Sequence, residues 1–430
     1  MTNPQAAELN EIIRQTNPYV YGMLSEKGRN IFFPTKGILA QTAEARGKGI
    51  NATIGTALED TGIPMVLTSV DKHMSVGNKE VFSYAPSFGK PEIRMIWKNM
   101  LLRKNPSLTK ATFSTPVVTN ALTHGLSMTG YVFIEQGDEI ITPDLFWENY
   151  ELVFNYAYGS KFSTFPTFNS QNGFNIEGLR NRLNEGTTGK KIVILNFPNN
   201  PTGYTISLEE AQRIKEVLVE SAQAGNSVLV FIDDAYFGLV FEEGIYKESM
   251  FSLLANAHER ILAIKLDGPT KEDYVWGFRV GFVTFGTALN TPAFYSALES
   301  KLGGAIRGNI SSSSNLGQSL LLSAYHTNSY EQEKQEKLSI LQRRYIKIKE
   351  IFNSHLEYSE FFQPLPFNSG YFMCVEIKSG EANKVRQILL EKYNTGVIAQ
   401  GKLLRIAFSS TPYELLEMLF DNVYHAAKEV

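Results

Sequence analysis

The sequence predicts an α/β protein: a mostly parallel central sheet flanked by helices, with a smaller α/β domain formed by both chain ends. Three observations carry this. First, KIVILNF (191–197), SVLVFID (227–233) and RILAIKL (260–266) are apolar runs of strand length without alternation, as expected of strands buried on both faces. Second, an amphipathic helix, SLEEAQRIKEVLVESAQAG (207–225), separates the first two, opened by Ser207 with Glu210 at the third helical position. Third, polar clusters follow the carboxyl ends of these strands, where open α/β sheets bind their ligands.

The remaining elements fall into order around that frame. Residues 1–30 hold a short amphipathic segment about Leu9, Ile12 and Ile13 that reads as helix. A polar, glycine-containing stretch follows and ends in INATIGTALEDTG (50–62), which reads as loop. PEIRMIWKNMLLRK (91–104) and NALTHGLSMTG (120–130) read as helices, the second followed by a short apolar segment, YVFI. GDEIITP (137–143) is a strand ending in a proline turn, and ELVFNY (151–156) also reads as a strand. A charged helix over about 330–353 links the sheet to a carboxyl-terminal part. There YFMCVEI and KLLRIAF read as strands, and the stretch after Pro412 as a closing helix. The expected division is 1–75 (early segment and part of the small domain), 76–325 (large domain) and 326–430 (small domain).

Composition excludes several classes. The 41 basic and 44 acidic residues leave a net charge of -3, no footprint for whole-protein nucleic-acid binding. The single cysteine, Cys374, excludes an intramolecular disulfide framework, and its apolar neighbours mark it as a packing residue. The six histidines are scattered without ligand spacing, so no metal site is expected. The amino terminus, MTNPQAAELNEIIRQ, has no apolar core of signal-peptide type, and no run of eighteen apolar residues occurs. A cytoplasmic protein without membrane contact is the expectation.

Three clusters carry chemistry. In DGPTKEDYVWGFRVGF (267–282), Lys271 lies beyond a buried strand and Arg279 eight residues later. A lone loop lysine is ordinarily surface charge, but one beyond a central strand suits a desolvated amine that forms a Schiff base. The arginine suits a bidentate grip on phosphate. Asp233, in FIDDAYFG, can project from a strand end toward a protonated pyridine nitrogen, while Asn200 and Tyr236 offer donors to a phenolate. Taken singly, Asn-Asn-Pro-Thr-Gly is also a good turn, and Asp-Asp-Ala-Tyr a helix cap.

Together, in this order and spacing, these motifs resemble the class I/II aminotransferases of the aspartate aminotransferase type, fold type I, over roughly residues 50–410. The resemblance implies pyridoxal 5'-phosphate as cofactor. Lys271 would bear it in a Schiff base, with Asp233 on the pyridine nitrogen, Asn200 and Tyr236 on the phenolate and Arg279 on the phosphate. Ala121, Leu122 and Thr123, in PVVTNALTHGL, match the helix start that holds the phosphate, Thr270 retains one hydroxyl of a Ser-x-Ser pair whose other member is Gly268, and Trp147 matches the ring over the pyridine. Tyr84 matches a residue reaching the neighbouring subunit's phosphate, which implies a homodimer with shared active sites. Arg405 would take the substrate α-carboxylate, with Asn200 beside it and the turn at Thr53, Ile54 and Gly55 closing over it. Arg307 falls where dicarboxylate-specific members place a side-chain anchor, and Asn368 stands where small or apolar residues are expected near the substrate side chain. The implied activity is amino transfer from an L-amino acid, of aspartate/glutamate or aromatic type, to a 2-oxo acid such as 2-oxoglutarate. The alternative is another reaction on the same cofactor, a β-elimination or decarboxylation.

Overall fold

The computed structural model describes residues 3–34, 37–74 and 76–430. After a two-residue strand β1 (Ile50–Asn51), the large sheet is made of seven strands. They are β2 (Val117–Thr119), β3 (Glu139–Pro143), β4 (Lys161–Phe165), β5 (Lys190–Leu195), β6 (Ser227–Asp233), β7 (Ile261–Asp267) and β8 (Gly281–Gly286). Their order is β2-β8-β7-β6-β5-β3-β4, with β8 antiparallel to both neighbours and every other pairing parallel. The consequence for function is geometric. The carboxyl ends of β2, β5, β6 and β7 and the start of β8 meet along one edge, with Thr119 opposite Gly281 and Asp233 opposite Leu266.

The apolar runs of β5 to β7 are explained by two separate cores. Ile192, Ile194, Phe231 and Ile264 face one, while Val193, Leu195, Val230 and Ala263 face the other. Successive residues of a strand point to opposite faces, so a sheet packed on both sides needs apolar residues at every position. The helix Leu208–Gln223 begins at the Ser207–Glu210 capping box read from the sequence.

A second sheet combines β9 (Phe362–Pro364), β10 (Phe372–Ile377), β12 (Ile398–Gln400) and β13 (Leu403–Ala407) in the order β12-β13-β10-β9, all antiparallel. Between β10 and β12 in sequence, β11 (Thr395–Gly396) pairs in parallel with β1 in a separate two-stranded sheet, which fastens the early segment to the carboxyl-terminal part. The helix Tyr330–Ser354 precedes this sheet. Among the described residues, no helix is long and apolar enough to cross a membrane.

Some expectations need correction. ELVFNY is not a strand but a π-helical turn, Glu151–Tyr156. Its buried residues, Val153 and Phe154, are adjacent rather than alternating, and Phe154 stacks on Phe231 at 5.7 Å. YVFI does not form a separate segment, because the helix starting at Ala121 runs on to Phe133. The loop over 50–62 contains β1. The amino-terminal helix Pro4–Thr16 forms, yet Leu9 and Ile12 on its apolar stripe stay exposed.

One turn couples the sheets. Gly203 ends the loop after β5 with a φ of 71°, and its carbonyl accepts the amides of Asn368 and Ser369, each at 2.9 Å. A Cβ there would lie 1.9 Å from the Phe372 carbonyl oxygen. Gly203→Ala therefore combines a strained φ with a backbone clash, and is expected to cost about 3 kcal/mol of stability. Urea unfolding, monitored by circular dichroism, checks this through the midpoint.

Candidate active site

The converging strand ends build a cavity of about 320 Å³. Its floor begins at Asn196, just beyond β5. The Asn196 side chain donates to the Asp233 carbonyl (2.8 Å) and accepts the Asn200 amide (2.9 Å), which sets the turn carrying Asn200 against the end of β6. Asp233 closes β6 and is only 3% exposed. Its Oδ2 accepts the Tyr150 hydroxyl at 2.5 Å, and Oδ1 accepts the Ala235 amide at 3.1 Å. Burial raises the carboxyl's proton affinity, and Tyr150, the Ala235 amide, Lys271 and Lys265 act against that.

Lys271 follows β7 on the short helix Pro269–Glu272, its carbonyl accepting the Tyr371 hydroxyl at 2.8 Å. Its Nζ has no carboxylate within ion-pair distance among the described residues and sits 5.3 Å over the Tyr236 ring. Burial pushes its pKa down to about 8, with Arg279 adding to the effect and Asp233 opposing it. Such an amine is neutral far more often near neutral pH than an ordinary lysine, and the neutral form is the nucleophile.

An anion cradle lies beside it. The helix Ala121–Phe133 starts at this edge with Ala121 at a φ of 67°, and Thr119 Oγ1 donates to the Ala121 carbonyl at 2.9 Å. Gly281 lets β8 pass close to the helix start, since a Cβ there would lie 2.6 Å from the Ala121 carbonyl carbon. The Thr270 hydroxyl is buried with no protein partner. Arg279, in a left-handed conformation, directs its group into the same space while Nη1 donates to the Trp276 carbonyl at 3.2 Å. Helix amides, a hydroxyl and a guanidinium make a set of donors suited to a phosphate group.

Arg405 lies opposite, on β13, and is 4% exposed. Its Nη1 donates to Asn200 Oδ1 at 3.4 Å and its Nη2 to the Thr53 carbonyl at 3.3 Å, while Nε has no partner. The guanidinium lies 4.4 Å from the Phe372 ring centroid. No carboxylate neutralises it within ion-pair distance among the described residues. A buried cation of this kind has donors left over for a ligand carboxylate.

The residues expected from the sequence divide cleanly. Gly55, Ala121, Leu122, Thr123, Trp147 and Asn200 line the cavity, as do Asp233, Tyr236, Thr270, Lys271, Arg279 and Arg405. Tyr84 and Arg307 do not. Tyr84 is 90% exposed, and Arg307 is an exposed residue of the helix Pro292–Ile310, bonded to Ser311 Oγ at 2.9 Å. Asn368 stands outside as well, its amide bridging the Thr205 backbone with 2.8 Å bonds to both N–H and carbonyl. Its position in the fold is that of a clamp between loops. Sequence reasoning missed Asn196 and Tyr150, and it missed Ile38, Leu39 and Thr42 of the early helix Ile38–Glu44, which face the cavity. Asn196 carried a signal, the same strand-end position as Asp233; Tyr150 and the early helix carried none. No group of three or more potential metal ligands occurs among the described residues.

Residues 50–423 match the family model described as aminotransferase class I and II. A probable aspartate/prephenate aminotransferase of Aquifex aeolicus is 25% identical over 256 residues, covering 58% of this chain and 60% of that protein. A probable N-acetyl-LL-diaminopimelate aminotransferase of Bacillus subtilis is 27% identical over 208 residues, 48% of each chain. The matched stretch thus spans 60% or less of these curated relatives. The fold is also that of an aminotransferase from Anaerococcus prevotii (TM-score 0.81, 22% identity, 94% of this chain and 99% of that one). An aspartate aminotransferase from Thermus thermophilus with maleate shares it (TM-score 0.73, 17% identity, 94% and 99% coverage).

The depressed proton affinity of Lys271 has a direct consequence. Reductive trapping of a small aliphatic aldehyde at this amine is expected to speed up as pH rises and to level off above about 8. Peptide mapping checks the site, and Lys271→Gln is expected to lose the labelled peptide.

Proposed function

The chain belongs to the class I and II aminotransferases, and from that membership we propose that it transfers an amino group from an L-amino acid to a 2-oxo acid such as 2-oxoglutarate, with pyridoxal 5'-phosphate as cofactor. The observation that carries the reading is one cavity uniting an unpaired lysine amine, a buried carboxylate and a buried arginine without a carboxylate partner. The donor set fits the cofactor. Thr270, the helix start at Ala121 to Thr123 and Arg279 would hold its phosphate, Asp233 its ring nitrogen, and Asn200 and Tyr236 its phenolate oxygen. Trp147 would lie against the ring, and Lys271 would carry the aldehyde carbon. When bound, the cofactor supplies an electron sink for charge developing at the donor's α-carbon.

This chain's own residues do the rest. Arg405 binds the donor's α-carboxylate, and Arg279 fixes the opposite anionic end, so the α-C–H bond is presented to Lys271 Nζ. Lys271 takes the α-proton and returns one, a role that suits an amine with a pKa of about 8. Asn200, which accepts from Arg405 through Oδ1, keeps its Nδ2 to donate toward the phenolate. The turn Thr53–Gly55 and the early helix residues Ile38 and Leu39 cover the cavity and limit entry of water.

The donor's side chain would meet Ile38, Leu39, Ile54 and Phe372, while the three cations of the cavity are all engaged in the roles above. That favours an apolar or aromatic donor. An acidic donor requires Arg307 of the partner subunit, in a homodimer with shared sites. The exposure of Tyr84 and Arg307, together with that of Phe82 and Met74 nearby in sequence, supports such a dimer.

The test is to load the protein with pyridoxal phosphate and follow its absorbance as single amino acids are added. Conversion to the pyridoxamine form by phenylalanine, with little by aspartate, is the expected outcome. Conversion by aspartate and glutamate alone would move the assignment to the dicarboxylate class, and none with any donor would favour elimination or decarboxylation. Arg405→Gln, which removes a buried charge partner of the substrate, is expected to lower kcat/KM for the best donor about a hundredfold or more.

A further inference from the structure

Tyr150 is the side-chain hydrogen-bond partner of the acid that ends β6. Its ring is 1% exposed and wedged among aromatic side chains: Trp147 edge-on at 5.6 Å, Phe146 stacked at 6.2 Å and Phe154 tilted at 6.1 Å. The backbone before the π-helical turn fixes it further, the Tyr150 amide bonding to the Trp147 carbonyl at 2.9 Å. The hydroxyl therefore has one direction available, and it donates to Asp233 Oδ2 at 2.5 Å.

We propose that Tyr150 is a positioning residue: together with the Ala235 amide on Oδ1 it holds Asp233 as an oriented carboxylate whose remaining lone pairs accept from a ligand, and so keeps the shared proton on the pyridine nitrogen of bound pyridoxal phosphate. The inference rests on the cofactor reading above and adds to it the device that sets the ring's protonation. A hydrogen bond from a neutral hydroxyl to a carboxylate is short and charge-assisted, and it lowers the basicity of the carboxylate that accepts it. With that basicity lowered, a proton shared between Asp233 and a pyridine nitrogen stays on the nitrogen. Tyr150 performs this at any working pH, because burial and the neighbouring Asp233 push the phenol's ionisation well above its usual range. It is a donor with no second protonation state to interfere.

The other groups facing Asp233 cannot replace it. Lys265 lies below but is spent on Asp234 and Asp267. Asp234 is a like charge that hydrogen-bonds to Lys265 and Ser249. Tyr236 is a neighbour whose own ionisation burial suppresses, and Lys271 is the amine committed to the cofactor. The Ala235 amide bonds the other oxygen, Oδ1, and leaves Oδ2 to Tyr150.

The experiment compares wild type, Tyr150→Phe and Phe154→Leu, each reconstituted with pyridoxal phosphate isotope-labelled at the ring nitrogen. Tyr150→Phe removes only the hydroxyl, and Phe154→Leu loosens the same packing while leaving the hydroxyl. In Tyr150→Phe the ring-nitrogen resonance is expected to move toward that of an unprotonated pyridine, and cofactor affinity to fall about tenfold. In Phe154→Leu the thermal midpoint should drop while the resonance stays at its wild-type position. A wild-type resonance in Tyr150→Phe, or an equal shift in both variants, overturns the proposal by leaving Tyr150 a packing residue. A wild type that takes up no cofactor overturns the cofactor reading, and this inference with it.

Discussion

The structure turns on how charge is kept at a buried sheet edge. Taking an ionised group out of water costs several kcal/mol unless it is paired and hydrogen-bonded. At the ends of β6 and β7 the chain meets this cost in two ways. Below the cavity, Lys265 is fully buried and paired with Asp234 and Asp267, and Asp267 also accepts the Trp97 indole at 3.1 Å. In the cavity, Lys271 and Arg405 have no such carboxylate partner among the described residues, and Asp233 is held by hydrogen bonds from Tyr150 and the Ala235 amide. Charges that have carboxylate or ammonium partners belong to the scaffold, and those that lack them line the cavity. Perturbed ionisable groups of the second kind are the ones with chemistry to do.

The same logic anchors the backbone that presents Lys271. The next two residues, Glu272 and Asp273, are buried carboxylates. Glu272 pairs with Lys104 at 2.7 Å and Lys334 at 2.8 Å; Asp273 pairs with Lys334 and accepts the hydroxyls of Tyr325 at 2.9 Å and Tyr330 at 2.7 Å. Lys334 and Tyr330 belong to the helix Tyr330–Ser354. Farther along, its Arg344 donates to the Leu58 and Ser409 carbonyls, both at 2.7 Å. One long helix thus fixes the lysine loop, the early segment and the end of the small sheet together. A flexible side chain keeps a fixed position only if its backbone does not move, and this network holds the backbone of Lys271.

What was legible in the sequence follows from the range of the interactions. β6 and the helix start at Ser207 could be read residue by residue, because two-sided burial and capping leave their marks within a few positions. The segment 151–156 was misread because a short apolar run does not say whether it lies in a sheet or packs as a helical turn over one; the deciding contact, Phe154 on Phe231, spans 77 positions. Lys271, Asp233 and Asn200 were legible as polar groups at, or within five residues of, the carboxyl ends of buried strands. Tyr150 was not, since its meaning depends entirely on a partner 83 positions away. Asn368 was noticed but not interpretable, for its partner is the backbone of Thr205 and backbone groups leave no trace in a sequence.

The early segment and β13 meet at the cavity, and their contact bears on Arg405. An arginine on an edge facing water would offer an entering carboxylate little, because solvent screens the pair and competes for its donors. The early segment removes that solvent. The Ala407 amide bonds to the Ala52 carbonyl at 2.8 Å, the Leu58 amide to the Ser409 carbonyl at 2.9 Å, and β1 pairs with β11, so residues 50–58 are laid along the small sheet as an added layer. That layer delivers the Thr53 carbonyl to Arg405 Nη2, while Nε stays without a partner. Two neutral acceptors, the Thr53 carbonyl and Asn200 Oδ1, orient the guanidinium without neutralising it, and its attraction for an anion is kept. The antiparallel neighbours of β13 hold the residue from either side, Cys374 on β10 and Ile398 on β12. The cation is thus held in place and desolvated without being neutralised, because the fold returns residues 50–58 to its last strand.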